Sequence, residues 1–245
     1  MTFTNFILKI FQNLNTIILY LFSNQLNEAK LLKKIFFLQK KIIFFDIGSN
    51  LGNYTKFIEK IFKYKLLQVY SFEPNYKSYQ IQKKIFSKSS IRLNNIAINN
   101  TNTDKFFYER FISSQSSLIP NEKALSTNNF LCKISKKTII PTITLNKYCK
   151  LNRINQIDFL KIDTEGNDFN VLLSANKLLL NKKIKLIKIE VIIKKNFNEI
   201  YNFLYSRGYE ILGFTNQKYM DDKLIFCDVF FSLRNKFSKS FHTSL

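Results

Sequence analysis

Two stretches of this 245-residue chain, D46-I-G-S-N-L-G-N53 and I157-D-F-L-K-I-D-T-E-G166, gather most of the side chains able to do chemistry. Glu73 in S71-F-E-P74 and Glu190 in LIKIEV complete the set. Gly48 and Gly52 are two of only five glycines in the chain, against about 7 % in an average protein, so their placement asks for a local reason. Gly48 lets the chain turn tightly, and Gly52 lets backbone and ligand approach with no Cβ between them. A tight turn with a capping glycine is the plainer alternative. The spacing is D-x-G-x-x-x-G, which departs from the G-x-G-x-x-G of a dinucleotide site. Asp46, inside the strand end, disfavours a pyrophosphate and suits a cationic or amine-bearing ligand.

Glu73 stands about 20 residues beyond Gly52, the separation at which an acid in an open parallel sheet accepts both ribose hydroxyls. A loop that disfavours phosphate and an acid that grasps ribose together predict a nucleoside with a cationic tail, and S-adenosyl-methionine is such a molecule. The expected cofactor contacts are Asp46, Gly48, Ser49, Asn50, Leu51, Gly52 and Asn53, then Glu73 and Pro74, with Ile96 and Ala97 against the adenine face. Asp163, Glu165 and Glu190 fall at the carboxyl ends of two further strands, on the same edge as the glycine loop. They are the candidates for a general base, with Asp168 next. The alternative is that Asp163 caps a helix whose first turn gains from Glu165 and Asp168. A variant makes these acids ligands for Mg²⁺; the metal-free reading is preferred, and no residue is assigned to a metal.

The elements that must position these residues alternate. Helix is expected over 27–39, strand over 42–47, helix over 54–62, strand over 67–72, helix over 77–86 and strand over 91–98. An irregular region follows, with strand-like 105–109, short strand 139–142 and short helix 145–150. Strand 157–162, helix 168–181, strand 184–192, helix 198–206 and strands 209–214 and 224–231 complete the chain. Continuous apolar runs such as Ile42–Ile47 read as parallel strands buried on both faces. The pattern predicts an α/β fold, a Rossmann-like, doubly wound, mostly parallel sheet. Three segments are expected: an amphipathic helical segment over 1–40, the catalytic domain over 41–233 and a polar tail over 234–245.

Composition narrows the chemistry. The single histidine, His242, lies in the tail, which excludes a histidine triad, histidine metal site or histidine base from the globular part. Cys132, Cys149 and Cys227 have no metal-ligand spacing and read as reduced, mostly buried thiols of a cytoplasmic protein. The net charge of +21 fits an anionic partner, but the lysines are scattered through a chain rich in Asn, Ile and Phe, so compositional bias is preferred to nucleic-acid binding. Residues 3–22 carry apolar side chains at helical spacing, interrupted by Asn and Lys, which argues against a spanning helix. Packing on the domain comes first among its readings, then resting on the inner face of a membrane, then a signal peptide, which no small-residue cleavage site supports. The run Ser113–Ser117 either lines an acceptor pocket or is a polar loop.

The segments FFDIGSNLGNYT, YSFEPN, IDFLKIDTEGNDFNVLLSA and KLIKIEV together resemble an FkbM-type methyltransferase, a branch of the class I S-adenosyl-methionine-dependent methyltransferases, over roughly residues 42–231. The resemblance implies a seven-stranded sheet closed by an antiparallel hairpin and O-methylation, often of sugar or polyketide hydroxyls. It leaves the acceptor as a sugar, glycan or glycolipid hydroxyl. Nucleobase N-methylation is expected to bring an Asn/Asp-Pro-Pro-aromatic run after the fourth strand, and Asp163-Thr164-Glu165-Gly166 stands there instead. A nucleic-acid methyltransferase and a non-catalytic nucleoside-binding protein are the alternatives. Two departures from the family pattern stand out: Asn146 where Leu-Asp is common, and Asn167-Asp168 where His or Ala then Glu is common.

Overall fold

The computed structural model describes residues 25–110, 116–118 and 134–234. The amphipathic stretch 3–22, Ser113 to Gln115, Cys132 and the tail with His242 lie outside them. The chain divides into units Met1–Gln39 and Lys40–Leu245. In the first, residues 25–35 form helix α1, shorter than the expected 27–39 at its end.

The second unit is built on a seven-stranded sheet. Its strands are β1 (Lys41–Ile47), β2 (Leu66–Phe72), β3 (Arg92–Asn94), β8 (Ile157–Ile162), β9 (Ile184–Ile192), β10 (Tyr209–Met220) and β11 (Lys223–Leu233), in the order β10-β11-β9-β8-β1-β2-β3. The first five run parallel, and β11 pairs antiparallel with both β9 and β10. The predicted mostly parallel sheet and closing hairpin are therefore present. Five further helices matter here: α2 (Asn53–Ile61), α3 (Tyr76–Ile85), α4 (Leu145–Leu151), α5 (Asp168–Ser174) and α6 (Asn176–Leu180); α7 (Phe197–Tyr205) precedes the hairpin.

Alternation along β1 shows why both faces are covered. Successive strand residues point to opposite faces. Phe44 meets Tyr54 of α2 and Phe159 of β8, with ring centroids 6.0 and 5.1 Å apart. Phe45 meets Tyr70 and Phe72 of β2 and Tyr148 of α4 on the other side. Each fully buried ring contributes roughly 1.5–3 kcal/mol of transfer free energy. Cys149 and Cys227 are free and buried among these apolar side chains.

Four elements of this unit differ from the periodicity-based expectation, two of them through side-chain hydrogen bonds. The expected strand 91–98 is two pieces, because Asn95 Nδ2 donates to the carbonyls of Glu73 (2.8 Å) and Pro74 (3.0 Å) and turns the chain. Ala97–Ile98 (β4) then pairs with Thr142–Ile143 (β7) outside the main sheet. The strand-like 105–109 becomes β5 (Lys105–Arg110), paired with the longer β6 (Ile134–Ile140). The expected helix 168–181 breaks at Ala175: Ser174 Oγ bonds back to the Val171 carbonyl at 2.6 Å, and Asn146 Oδ1 accepts the Leu178 N–H at 3.2 Å. The amide at 146 thus supplies an acceptor. The closing hairpin runs well past 214 and 224, around Asp221-Asp222, both at positive φ as a two-residue type I′ turn requires.

Candidate functional site

The glycine turn after β1 is assembled by hydrogen bonds between β1, β2 and α3. The Gly48 and Ser49 N–H groups both donate to the Phe72 carbonyl, at 3.0 and 3.1 Å. Ser49 Oγ is buried and accepts from Ser71 Oγ (2.7 Å) and Gln82 Nε2 (2.8 Å), so this side chain faces protein. Asn50 N–H donates to Glu73 Oε2 and Asn75 N–H to Glu73 Oε1, each at 2.7 Å. Glu73 therefore points at the glycine turn and clamps it to the end of β2. Burial pushes its pKa up to about 7, opposed by those two N–H bonds and by the Lys161 cation.

Both glycines of the turn have φ +78, in the left-handed region. A Cβ on Gly48 would sit 1.8 Å from the Asp163 carbonyl oxygen, so the turn is pressed against the end of β8. The space that Gly52 leaves open is taken by the ring of Phe86, 2.5 Å from where a Cβ would lie. The expectation that Gly52 makes room for a ligand is corrected: it makes room for α3. Leu51 is half-buried and Asn53 exposed at the start of α2.

Asp46 is fully buried. Its Oδ2 accepts Thr55 Oγ1 at 2.8 Å and its Oδ1 lies 3.2 Å from Lys161 Nζ. Its charge is met from within the protein rather than held open for a cationic ligand. Lys161 was missed by the sequence reading, although a cation inside the otherwise buried strand IDFLKI is a signal.

Beside the turn lies a narrow cleft, lined by Gly48, Pro74, Ile96, Ala97, Thr164 and Asn167 among others. Four expected cofactor residues, Gly48, Pro74, Ile96 and Ala97, are brought together in it. Its wall is mostly apolar, with Phe72 and Ile98 also in the lining. Asn167 Nδ2 donates to the Ile98 carbonyl at 3.1 Å, which ties β4 to the segment after β8.

The acidic edge follows β8. Asp163 N–H donates to the Ile47 carbonyl (3.0 Å), and Asp163 Oδ2 lies 3.1 Å from Lys161 Nζ with its side chain 40 % exposed. Asp168 accepts Thr164 N–H and Oγ1, both at 2.8 Å, and Gly166 N–H at 3.2 Å. Those bonds fold residues 163–166 into a turn with Glu165 at φ 53 and Gly166 at φ 102. Asp168 is thereby occupied as the organiser of the turn. Burial, then repulsion from Asp163 and Asp168, pushes Glu165 up to about 7, while Lys161 and Arg110 oppose the rise. Glu190 goes to about 9 through burial and repulsion from Asp163, Asp168, Glu165 and Asp228. Asp228 faces Glu190 across the β9–β11 register. The three predicted acids thus converge electrostatically. Among the described residues no group of His, Cys, Asp or Glu has the arrangement to hold a metal ion. Ser117 Oγ donates to the Thr164 carbonyl at 3.3 Å, so the end of the serine run touches this turn.

Sheet order, closing hairpin and an acid ending β2 define the class I methyltransferase architecture that the resemblance implies. The methyltransferase FkbM domain matches residues 46–211, and the chain belongs to that methyltransferase family. No curated protein matches the sequence. A solved methyltransferase FkbM from Methylobacillus flagellatus KT is 14 % identical with a TM-score of 0.51, covering 78 % of this chain. The chain spans only 44 % of the length of that protein. An rRNA methylase from Streptococcus thermophilus is 11 % identical, covering 82 % of this chain and 92 % of its own, with a TM-score of 0.47. TrmK of M. capricolum, solved with S-adenosyl-homocysteine, is 13 % identical, covering 83 % and 67 %, with a TM-score of 0.40.

Proposed function

We propose that this domain methylates a hydroxyl group of a sugar, glycan or glycolipid, using S-adenosyl-methionine. The observation that carries the reading is the adjacency of the cleft to an acidic edge. The donor set fits the cofactor: Glu73, next to the cleft-lining Pro74 and bonded to the glycine turn, for ribose hydroxyls, Phe72 and Ile96 to Ile98 for an adenine face, and carboxylates for a cation. When bound, S-adenosyl-methionine would supply an electrophilic methyl group to the acceptor oxygen, with S-adenosyl-homocysteine as the leaving group.

Glu165 is the general base. It stands in the turn after β8, and burial beside other carboxylates pushes its pKa up to about 7, matched to taking a hydroxyl proton at neutral pH. Glu190, pushed to about 9, is protonated there and donates a hydrogen bond to the acceptor. Asp163, tied to Lys161, holds the edge of the cleft. Alignment of oxygen and methyl provides the remainder of the rate. The acceptor is met in the cytoplasm, and residues 3–22 provide contact with a membrane surface when it is lipid-linked.

The test is methyl transfer from labelled S-adenosyl-methionine to a panel of sugars, glycan precursors and RNA. Label on a hydroxyl of a sugar or glycan supports the proposal. Label on RNA, or cofactor binding with no transfer to any sugar or glycan acceptor, contradicts it.

A further inference from the structure

We infer that Lys161 is the positioning residue of the transfer site: its ammonium fastens the cofactor turn at Gly48 to the catalytic turn at Asp163, so the two turns keep one separation. This rests on the function proposed above. An ammonium has three N–H donors and no acceptor. The three partners of Lys161 Nζ are Gly48 O (3.2 Å), Asp46 Oδ1 (3.2 Å) and Asp163 Oδ2 (3.1 Å). They belong to the two chain segments that border the cleft, and the lysine side chain is only 8 % exposed.

A purely structural lysine here would need only Asp46, the fully buried acid. Asp163 is 40 % exposed and needs no buried counter-charge. The strand register adds a second argument. Lys161 lies opposite Lys188 of β9, which ion-pairs with Asp228 at 3.2 Å. The ring of Tyr54, on α2, lies 5.5 Å from one ammonium and 4.5 Å from the other. Two like charges side by side inside a sheet are costly, and a hydrophobic pair of similar volume is often as stable. Each cation reaches instead toward an acid of the carboxyl edge, Asp163 or Asp228. The groups facing Glu165 are Asp163 and Lys161 from β8 and its end, Asp168 from α5, Arg110 from β5 and Glu190 from β9. Lys161 is the cation that also touches the cofactor turn.

The experiment uses the full chain labelled with ¹³C-carboxyl glutamate, and calorimetry with S-adenosyl-homocysteine. In Lys161→Gln, Glu165 titrates at higher pH than in wild type, because a cation that favours its charged form is gone. Affinity for S-adenosyl-homocysteine falls by about tenfold or more. In Lys161→Arg the charge stays, so Glu165 titrates as in wild type, yet the planar guanidinium misfits the three-point site and affinity still falls. A folded Lys161→Gln with wild-type affinity and unchanged Glu165 titration overturns the inference. If that variant does not fold, wild-type affinity in Lys161→Arg overturns it. If wild type itself does not bind S-adenosyl-homocysteine, the proposed function fails, while the Glu165 titration in Lys161→Gln still reads the coupling.

Discussion

The glycine turn after β1 and the acidic edge sit one strand apart and hold their carboxylates differently. In the turn, Ser49, Asp46 and Glu73 are engaged by protein donors, and Gly48 and Gly52 are packed against backbone and a ring. At the edge, Glu165 and Glu190 are crowded by other carboxylates and their pKa values rise. Satisfied polar groups in a tight space make a rigid socket. Crowded acids hold protons near neutral pH. A transfer enzyme needs both, and Lys161 touches each.

The largest effect expected from breaking this contrast is at Gly48. Gly48→Ala forces a Cβ into the Asp163 carbonyl in a left-handed backbone, and costs at least ~3 kcal/mol of stability, read by denaturant unfolding. The edge answers differently. Glu165→Gln keeps shape and removes the base, so kcat falls roughly 10²–10⁴-fold while calorimetric affinity for S-adenosyl-homocysteine stays near wild type. Loss of affinity with unchanged kcat would assign Glu165 to the socket instead.

A third prediction concerns pH. Glu73 and Glu165 hold their protons in the folded state to about 7 and Glu190 to about 9, whereas unfolded glutamates release theirs near 4.3. The folded state therefore binds more protons in that window, and stability falls as pH rises from about 4.5 to 9. Tm of the ligand-free protein declines across this range, and Glu190→Gln flattens the upper part of the decline. The smallest effect is at Gly166, where a Cβ meets nothing within 4 Å and only the positive φ opposes it. Gly166→Ala costs about 1 kcal/mol, a difference of at least 2 kcal/mol from Gly48→Ala.

The socket and the edge were legible to different depths. β1, β2, β8 and β9 announce themselves as apolar runs ending in acids, and the parallel sheet with its carboxyl-edge cleft follows from their alternation with helices. The long-range partners did not: nothing local to Gly52 says that Phe86 fills its Cβ space, and nothing near Asp46 says that Lys161, 115 positions away, faces it. The breaks at Asn95 and Ala175 escaped because amide and hydroxyl side chains replaced backbone partners there. Hydrophobic periodicity does not register such exchanges. Gly48, Pro74, Ile96 and Ala97 share a cleft, since Gly48, Pro74 and Ile96 lie just past the ends of β1, β2 and β3 and Ala97 opens β4.

The central claim is that the cleft between the Glu73 clamp and the Asp163 turn receives an adenosyl group. A crystal structure of the protein with S-adenosyl-homocysteine tests it most directly. The account predicts ribose hydroxyls on Glu73, adenine against Ile96 to Ile98, and the sulfur facing Asp163 and Glu165. Nucleoside bound elsewhere, or Glu73 making no contact with it, would contradict the account.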